Sequence, residues 1–100
     1  MANEDAQETR NFCELVERLR IATDISQRVF AAMCGVSRIA YIKWITGERT
    51  PRPRNLEQLR RVTTAVNRAR KAGELPLRNG AGSYATRARE IIAIVNNYKS

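Results

Sequence analysis

The residues best equipped for chemistry lie between positions 35 and 55, GVSRIAYIKWITGERTPRPRN. Arg38 and Lys43 stand there among Ile39, Ile42 and Ile45, and Arg49, Arg52 and Arg54 follow with Pro51 and Pro53 interleaved. Glu48 is the one acid of the stretch. Arginine's planar fork binds phosphate oxygens bidentately and matches the acceptor edge of guanine, so this concentration suits nucleic acid. Charge by itself leaves other partners open, because an acidic membrane surface or plain solvation also satisfies a basic segment.

The bias extends beyond this stretch. Among 100 residues there are 18 bases and 10 acids, a net charge of +8, and arginine supplies 15 of the bases. Residues 1–17 hold five acids against Arg10 alone, a net of −4, so the remaining 83 carry +12. The same inventory argues against catalysis. There is no histidine, the commonest general base and metal ligand. Cys13 and Cys34 fall in apolar segments and form no CxxC pair, which reads as two reduced, buried thiols with no metal site and no cofactor. No Gly-rich phosphate loop and no nucleophile beside a base occurs. No apolar run approaches the roughly 18 residues that a membrane span needs. The polar start MANEDAQETR is unlike a signal or transit peptide, so a cytoplasmic protein is expected. The length suits one domain with one modest core.

The elements that must position these residues are helices. Residues 1–8 read as a frayed polar tail. From Thr9, the spacing of Phe12, Leu15, Val16 and Leu19 predicts one face of a helix ending near residues 22–24. Ser26 is placed to cap a second helix over Gln27 to Cys34, with Phe30, Ala31 and Met33 toward the core and Gly35 as its stop. Ser37 caps a third, to about Thr46, which Gly47 closes. GERTPRPRN reads as a loop, and Asn55 with Gln58 as a capping box for a fourth helix, along Leu56, Leu59, Val62 or Thr63, Val66 and Ala69 to Gly73. After the loop ELPLRNGAG, Tyr84, Ala88, Ile91, Val95 and Tyr98 alternate at four and three, a helical seam over Ser83 to Tyr98, although IIAIV is also good strand material.

Two short helices around a glycine turn, with small Ala31 at the crossing, make a helix-turn-helix. On the third helix Ser37, Tyr41, Trp44 and Ile45 share one side, the core side, while Arg38, Ile39, Ile42, Lys43 and Thr46 share the other. The stretch SQRVFAAMCGVSRIAYIKWITGERTP resembles the Xre/Cro-type helix-turn-helix of lambda-repressor-like DNA-binding proteins. The leading Ser-Gln, the Ala-x3-Gly-Val-Ser spacing and the Trp-x2-Gly-Glu-Arg-x-Pro ending carry the likeness, which runs from about Phe12 to Asn67. Tyr41 and Cys34 depart from the usual aliphatic residues, and Ile42 and Ile45 from usually polar ones.

The resemblance implies an all-α fold of about five helices whose third lies in the major groove of double-stranded DNA. By position Arg38, Ile39, Ala40 and Lys43 would be the readers, Arg38 forking onto a guanine and Ile39 with Ala40 meeting thymine methyl groups. Ser37, at the start of this helix, and Ile42 are counted with the DNA-binding residues, Ile42 touching a thymine or a partner subunit or standing as a mildly unfavourable exposed side chain. Gln27 and Arg28 would hold a phosphate at the start of the second helix, and Arg49, Arg52 and Arg54 would follow the backbone beyond the third. The expected organisation is a tail at 1–8, a helix-turn-helix DNA-binding domain at 9–73, and a loop plus C-terminal helix at 74–100. Such a chain would be a small dimeric repressor of phage, plasmid or bacterial origin, reading a pseudo-palindromic operator, with Tyr84, Ala88, Ile91, Val95 and Tyr98 as its homodimer seam. An antitoxin-like module that also binds a toxin-like protein partner is the alternative. An RNA-binding adaptor lacks the aromatic platform that stacks single-stranded bases.

Overall fold

Serine caps and glycine stops divide the chain into helices much as their chemistry requires. A computed structural model describes residues 2–78 and 82–99, with α1 at Ala2–Ala22, α2 at Gln27–Met33, α3 at Arg38–Ile45, α4 at Pro53–Lys71 and α5 at Tyr84–Tyr98. Ser26, Ser37 and Ser83 each sit in extended backbone and accept the N–H of the residue three on, at 3.1, 3.0 and 3.2 Å. Gly35 takes φ +75, so that its N–H reaches the Ala32 carbonyl while the Val36 N–H reaches that of Ala31, each at 3.0 Å. That left-handed closure satisfies two carbonyls at the end of α2 and reverses the chain into α3.

Three local expectations are corrected. The polar lead is helical from Ala2 rather than a frayed tail over residues 1–8. Gln7 bonds Asn11 across one turn at 2.9 Å. The buried stripe of α1 runs through Cys13 and Val16, flanked by half-buried Phe12 and Leu19, while Leu15 is 57% exposed. Leu15 falls outside the arc that α3 and α4 cover. Finally, α4 starts on Pro53 with Arg52 at its N-cap and no side-chain cap, so Asn55 lies inside the first turn and caps nothing. Proline fits the first helical position because its missing N–H would be unbonded there anyway.

The core joins all five helices. Val16, Phe30, Tyr41, Leu59, Val62, Val66 and Val95 are 0–1% exposed, and Ala31 at 1% lets α2 and α3 approach closely. The segment IIAIV is helix, because Ile91 and Val95, one turn apart, both bury themselves in the common core as α5 packs along α4. This corrects their place in a homodimer seam. Leu75 and half-buried Leu77 extend the same core, so they and α5 pack as part of one unit with the helices before them. Asn79, Gly80 and Ala81 of the loop before α5 lie outside the described residues. Cys13 and Cys34 are free and buried, and burial pushes the Cys34 thiol up to about 12. No helix among the described residues is long and apolar enough to cross a membrane.

This packing separates two leucines of equal hydrophobicity, Leu59 buried and Leu15 exposed. Leu59→Ala should cost about 2–5 kcal/mol, as a core truncation does. Leu15→Ala should stay within about 0.5 kcal/mol. Urea unfolding of both variants measures the difference.

Candidate nucleic-acid interface

α3 has two faces because Tyr41 and Trp44, three residues apart, are both buried, 0% and 6% exposed. Their anchoring turns Arg38 and Ile39 outward, Ile39 to 67% exposure, with Ala40, Ile42 and Lys43 half-covered at the margins. Ser37 belongs with the outward group rather than with the core side where the helical wheel set it, since its hydroxyl is spent on the cap.

A groove of about 300 Å³ lies alongside this face. Ser37, Ile39, Ala40 and Lys43 line one wall, Arg49, Thr50, Arg52 and Asn55 the other, and Trp44 also borders it. The fold thus gathers four residues of α3 with two arginines of the following loop. Arg54 is placed differently, with Asn55 and Gln58 against the turn at residues 32–35. Ile42 is half-buried and takes no part in the groove. Thr50 and Asn55 are additions to the expected set. Asn55 was legible only if Pro53 is taken as a helix start instead of a loop residue. At that start the N–H groups of Arg54 and Asn55 have no helical partner, which is the arrangement that receives anions.

Arg10 is a further addition from far away in the sequence. Its guanidinium rests on Gly47, where a Cβ would meet Arg10 Cζ at 3.0 Å and push that flexible tip aside, while φ +79 is what calls for glycine at this turn. Arg10 and Arg49 border the same cleft beside Thr50 and Pro51, and Glu14 reaches Arg10 only at 4.0 Å.

Behind the outward face lie two sets of polar contacts. Arg38 donates from Nε and Nη2 to Gln27 Oε1, at 3.3 and 3.2 Å, which leaves Nη1 and the second proton of Nη2 at the tip of the fork. A second set of contacts centres on the Glu17 carboxylate of α1. Arg20 grips both oxygens of that carboxylate, at 2.5 and 2.8 Å, and the Tyr41 hydroxyl donates to it at 2.9 Å. Arg20 is held in turn by the Ile25 carbonyl at 2.7 Å. Arg28 is exposed at the start of α2, one residue from Gln27.

The family model for the helix-turn-helix matches residues 16–64, from within α1 through most of α4. The chain belongs to the helix-turn-helix family of the Xre, lambda-repressor-like kind. No curated protein and no solved structure gives a match. The helix-turn-helix itself is α2, the Gly35 turn and α3, and every outward residue described above falls within the matched span except Arg10. Members of the family are DNA-binding regulators of transcription, and this chain is one. Its C-terminal helix-turn-helix neighbour α5 lies beyond the match. There Tyr84 is 55% exposed with its hydroxyl 2.8 Å from that of Ser26, and Ala88 and Tyr98 are half-buried.

Glu17 is the titratable tie of this helix-turn-helix. Burial acts to raise its pKa, but hydrogen bonds from Arg20 and Tyr41 and the Arg20 charge outweigh burial and hold the carboxyl below its ordinary range. The folded chain therefore takes up this proton less readily than the unfolded one. The tie's stability is present above the unfolded value of about 4.3 and is lost as pH falls through the lower folded value. Urea unfolding from about pH 6 down to about pH 3 should show the wild type losing more stability than Glu17→Gln, which has no proton to gain. Parallel curves would deny the tie an electrostatic share.

Proposed function

We propose that this regulator is a small dimeric repressor that reads a pseudo-palindromic operator with α3 in the major groove. The observation that carries the reading is the groove beside α3, where Ile39, Ala40 and Lys43 stand with Arg49 and Arg52, while Arg38, outside the groove, is exposed one residue before Ile39. Arg38 offers the tip of its fork to guanine O6 and N7, a contact worth about 1–3 kcal/mol in discrimination. Ile39 packs on a thymine methyl, the apolar feature of the major groove, which gives an exposed isoleucine a use. Gln27, Arg28, Lys43, Arg49 and Arg52, with the open start of α4, hold phosphates and set the register. Repression follows from occupancy, since a protein seated over a promoter excludes the polymerase.

Selection from a random duplex library at about 150 mM salt, where phosphate-driven binding is weakened, should enrich a pseudo-palindrome. A folded protein that enriches no sequence would sink the reading. On the selected site, Arg38→Ala should relax preference at one base position. Arg52→Ala should weaken all sequences alike and reduce the salt slope by about 1. Uniform losses from both variants would remove Arg38 from the readers.

The two-fold site implies two copies with α3 helices one DNA turn apart, about 34–36 Å. Tyr84, with half-buried Ala88 one turn on, remains available to a partner copy, as does part of half-buried Tyr98 at the other end of α5, whereas Ile91 and Val95 are used within the chain. Sedimentation equilibrium with operator DNA should give two protomers per duplex, and a monomer with and without DNA would exclude the dimer.

A further inference from the structure

We infer that the cleft between α1 and the turn after α3 is a further seat for the DNA backbone, where Arg10 and Arg49 hold a phosphate beyond those met in the groove beside α3. The inference rests on the proposed placing of α3 in the major groove and adds to it a contact from outside the family motif.

Three observations lead to it. First, the two cavities are continuous. The cleft, of about 310 Å³, is lined by Thr9 and Arg10 of α1 and by Gly47, Arg49, Thr50 and Pro51 of the turn. Trp44, Arg49 and Thr50 line the groove beside α3 as well. Arg52 borders the groove, Arg49 both cavities and Arg10 the cleft, a series that leads from one into the other.

Second, the frame is held while the Arg10 charge is not. The Arg49 N–H donates to the Lys43 carbonyl at 3.1 Å and Pro51 is buried, which fixes the turn. Arg10 lies against the bare backbone of Gly47, with Cζ and Nε each 3.0 Å from where a Cβ would stand. Yet among the described residues its guanidinium makes no hydrogen bond, and Glu14 approaches Nε only to 4.0 Å, with both side chains half or more exposed.

Third, Arg10 is the one base among residues 1–17, against five acids, and the fold brings that base to the turn that carries Arg49. Glu14 and the exposed Glu48 stand nearby, but neither lines the cleft. Two guanidiniums on one cleft repel each other, and an anion between them replaces that repulsion by two attractions. A phosphodiester carries two free oxygens that accept from guanidinium N–H groups. A strand that enters beside Arg52 and passes Arg49 therefore runs on to Arg10. Such a contact releases counterions, so it shows in the salt dependence of binding and leaves base preference alone.

The test scans the selected operator with each backbone phosphate in turn replaced by a neutral methylphosphonate, and reads dissociation constants. Arg10→Met keeps an unbranched stem over Gly47 without the charge, and Arg10→Lys keeps the charge without the fork. For the wild type, neutralising one phosphate outward of those sensed by Arg52 and Arg49 should weaken binding. Arg10→Met should become indifferent to that position, keep its base preferences and lose about 1 from the salt slope. Arg10→Lys should regain most of the slope, since an ammonium still binds phosphate as a point charge. The positions made indifferent by Arg52→Ala, Arg49→Ala and Arg10→Met should follow in that order along one strand. An Arg10→Met protein that melts like the wild type, yet keeps the wild-type scan and slope, overturns the seat while the operator reading stands. A wild-type scan with no sensitive phosphate outward of the Arg49 position does the same without relying on any Arg10 variant. A wild type that enriches no sequence overturns the operator reading itself, and this inference with it.

Discussion

The outward face of α3 depends on how Tyr41 is buried. Its ring is fully covered and tilted against Phe30 with 5.4 Å between centroids, yet its hydroxyl must find an acceptor. Glu17 supplies one, at 2.9 Å. Burial and the neighbouring carboxylate both hold the phenol in its neutral, donating form. A half-buried carboxylate is tolerated here because Arg20 neutralises it with two charge-assisted bonds. A helix of eight residues has little stability of its own, so its rotation about its axis is set by such anchors. Successive residues are about 100° apart around a helix, and once Tyr41 and Trp44 point inward the direction of Arg38 and Ile39 is no longer free.

Two local deficits of the fold meet at one surface. The start of α4 lacks a side-chain cap, and Ile39 is left in water. Both line the groove beside α3. An uncapped helix start asks for an anion, and an exposed isoleucine asks for apolar surface. The edge of a DNA duplex carries phosphates and thymine methyl groups within a few ångströms of one another. The loop between them is held by the chain rather than left to bind: Pro51 is buried, and Arg10 leans on Gly47. Such a surface is one that folding leaves incomplete and a ligand of the right polarity would complete.

What could be read in the sequence was what short-range chemistry determines. Ser26, Ser37 and Ser83 cap helices through their own hydroxyls, and Gly35 and Gly47 stop them through a backbone conformation other residues avoid. These depend on three or four neighbouring positions and nothing else. Asn55 failed as a cap because two local signals competed, and proline at the first helical position outweighed the capping box. Leu15 failed because a periodic pattern names a face without saying how wide an arc its neighbours cover. Arg10, the Tyr41–Glu17 bond and the Arg38–Gln27 bond were invisible for a third reason. They join residues on separate helices, and nothing in the spacing of one helix announces the partner on another.

α5 shows how far the folding unit exceeds the recognisable motif. The family match ends at residue 64, but the core continues through Val66, Ala69, Leu75, Ile91 and Val95. A domain of this size has little apolar surface to spare, so spending Ile91 and Val95 inside the chain removes them from any partner. For the proposed dimer this has a consequence. A stable symmetric interface covers about 800 Å² on each subunit. Among the described residues the large apolar side chains left outside, apart from Ile39 in the groove beside α3, are Leu15, Ile21 and Tyr84, and Leu15 lies on a different flank of α1 from the cleft that holds the other two. Contacts of that size hold two copies together only when something else keeps them close. Adjacent half-sites do this by fixing both copies on one duplex, so that a weak contact becomes an intramolecular one. Cooperativity would then reside in the spacing of the operator as much as in the protein, and the DNA would be a structural member of the dimer.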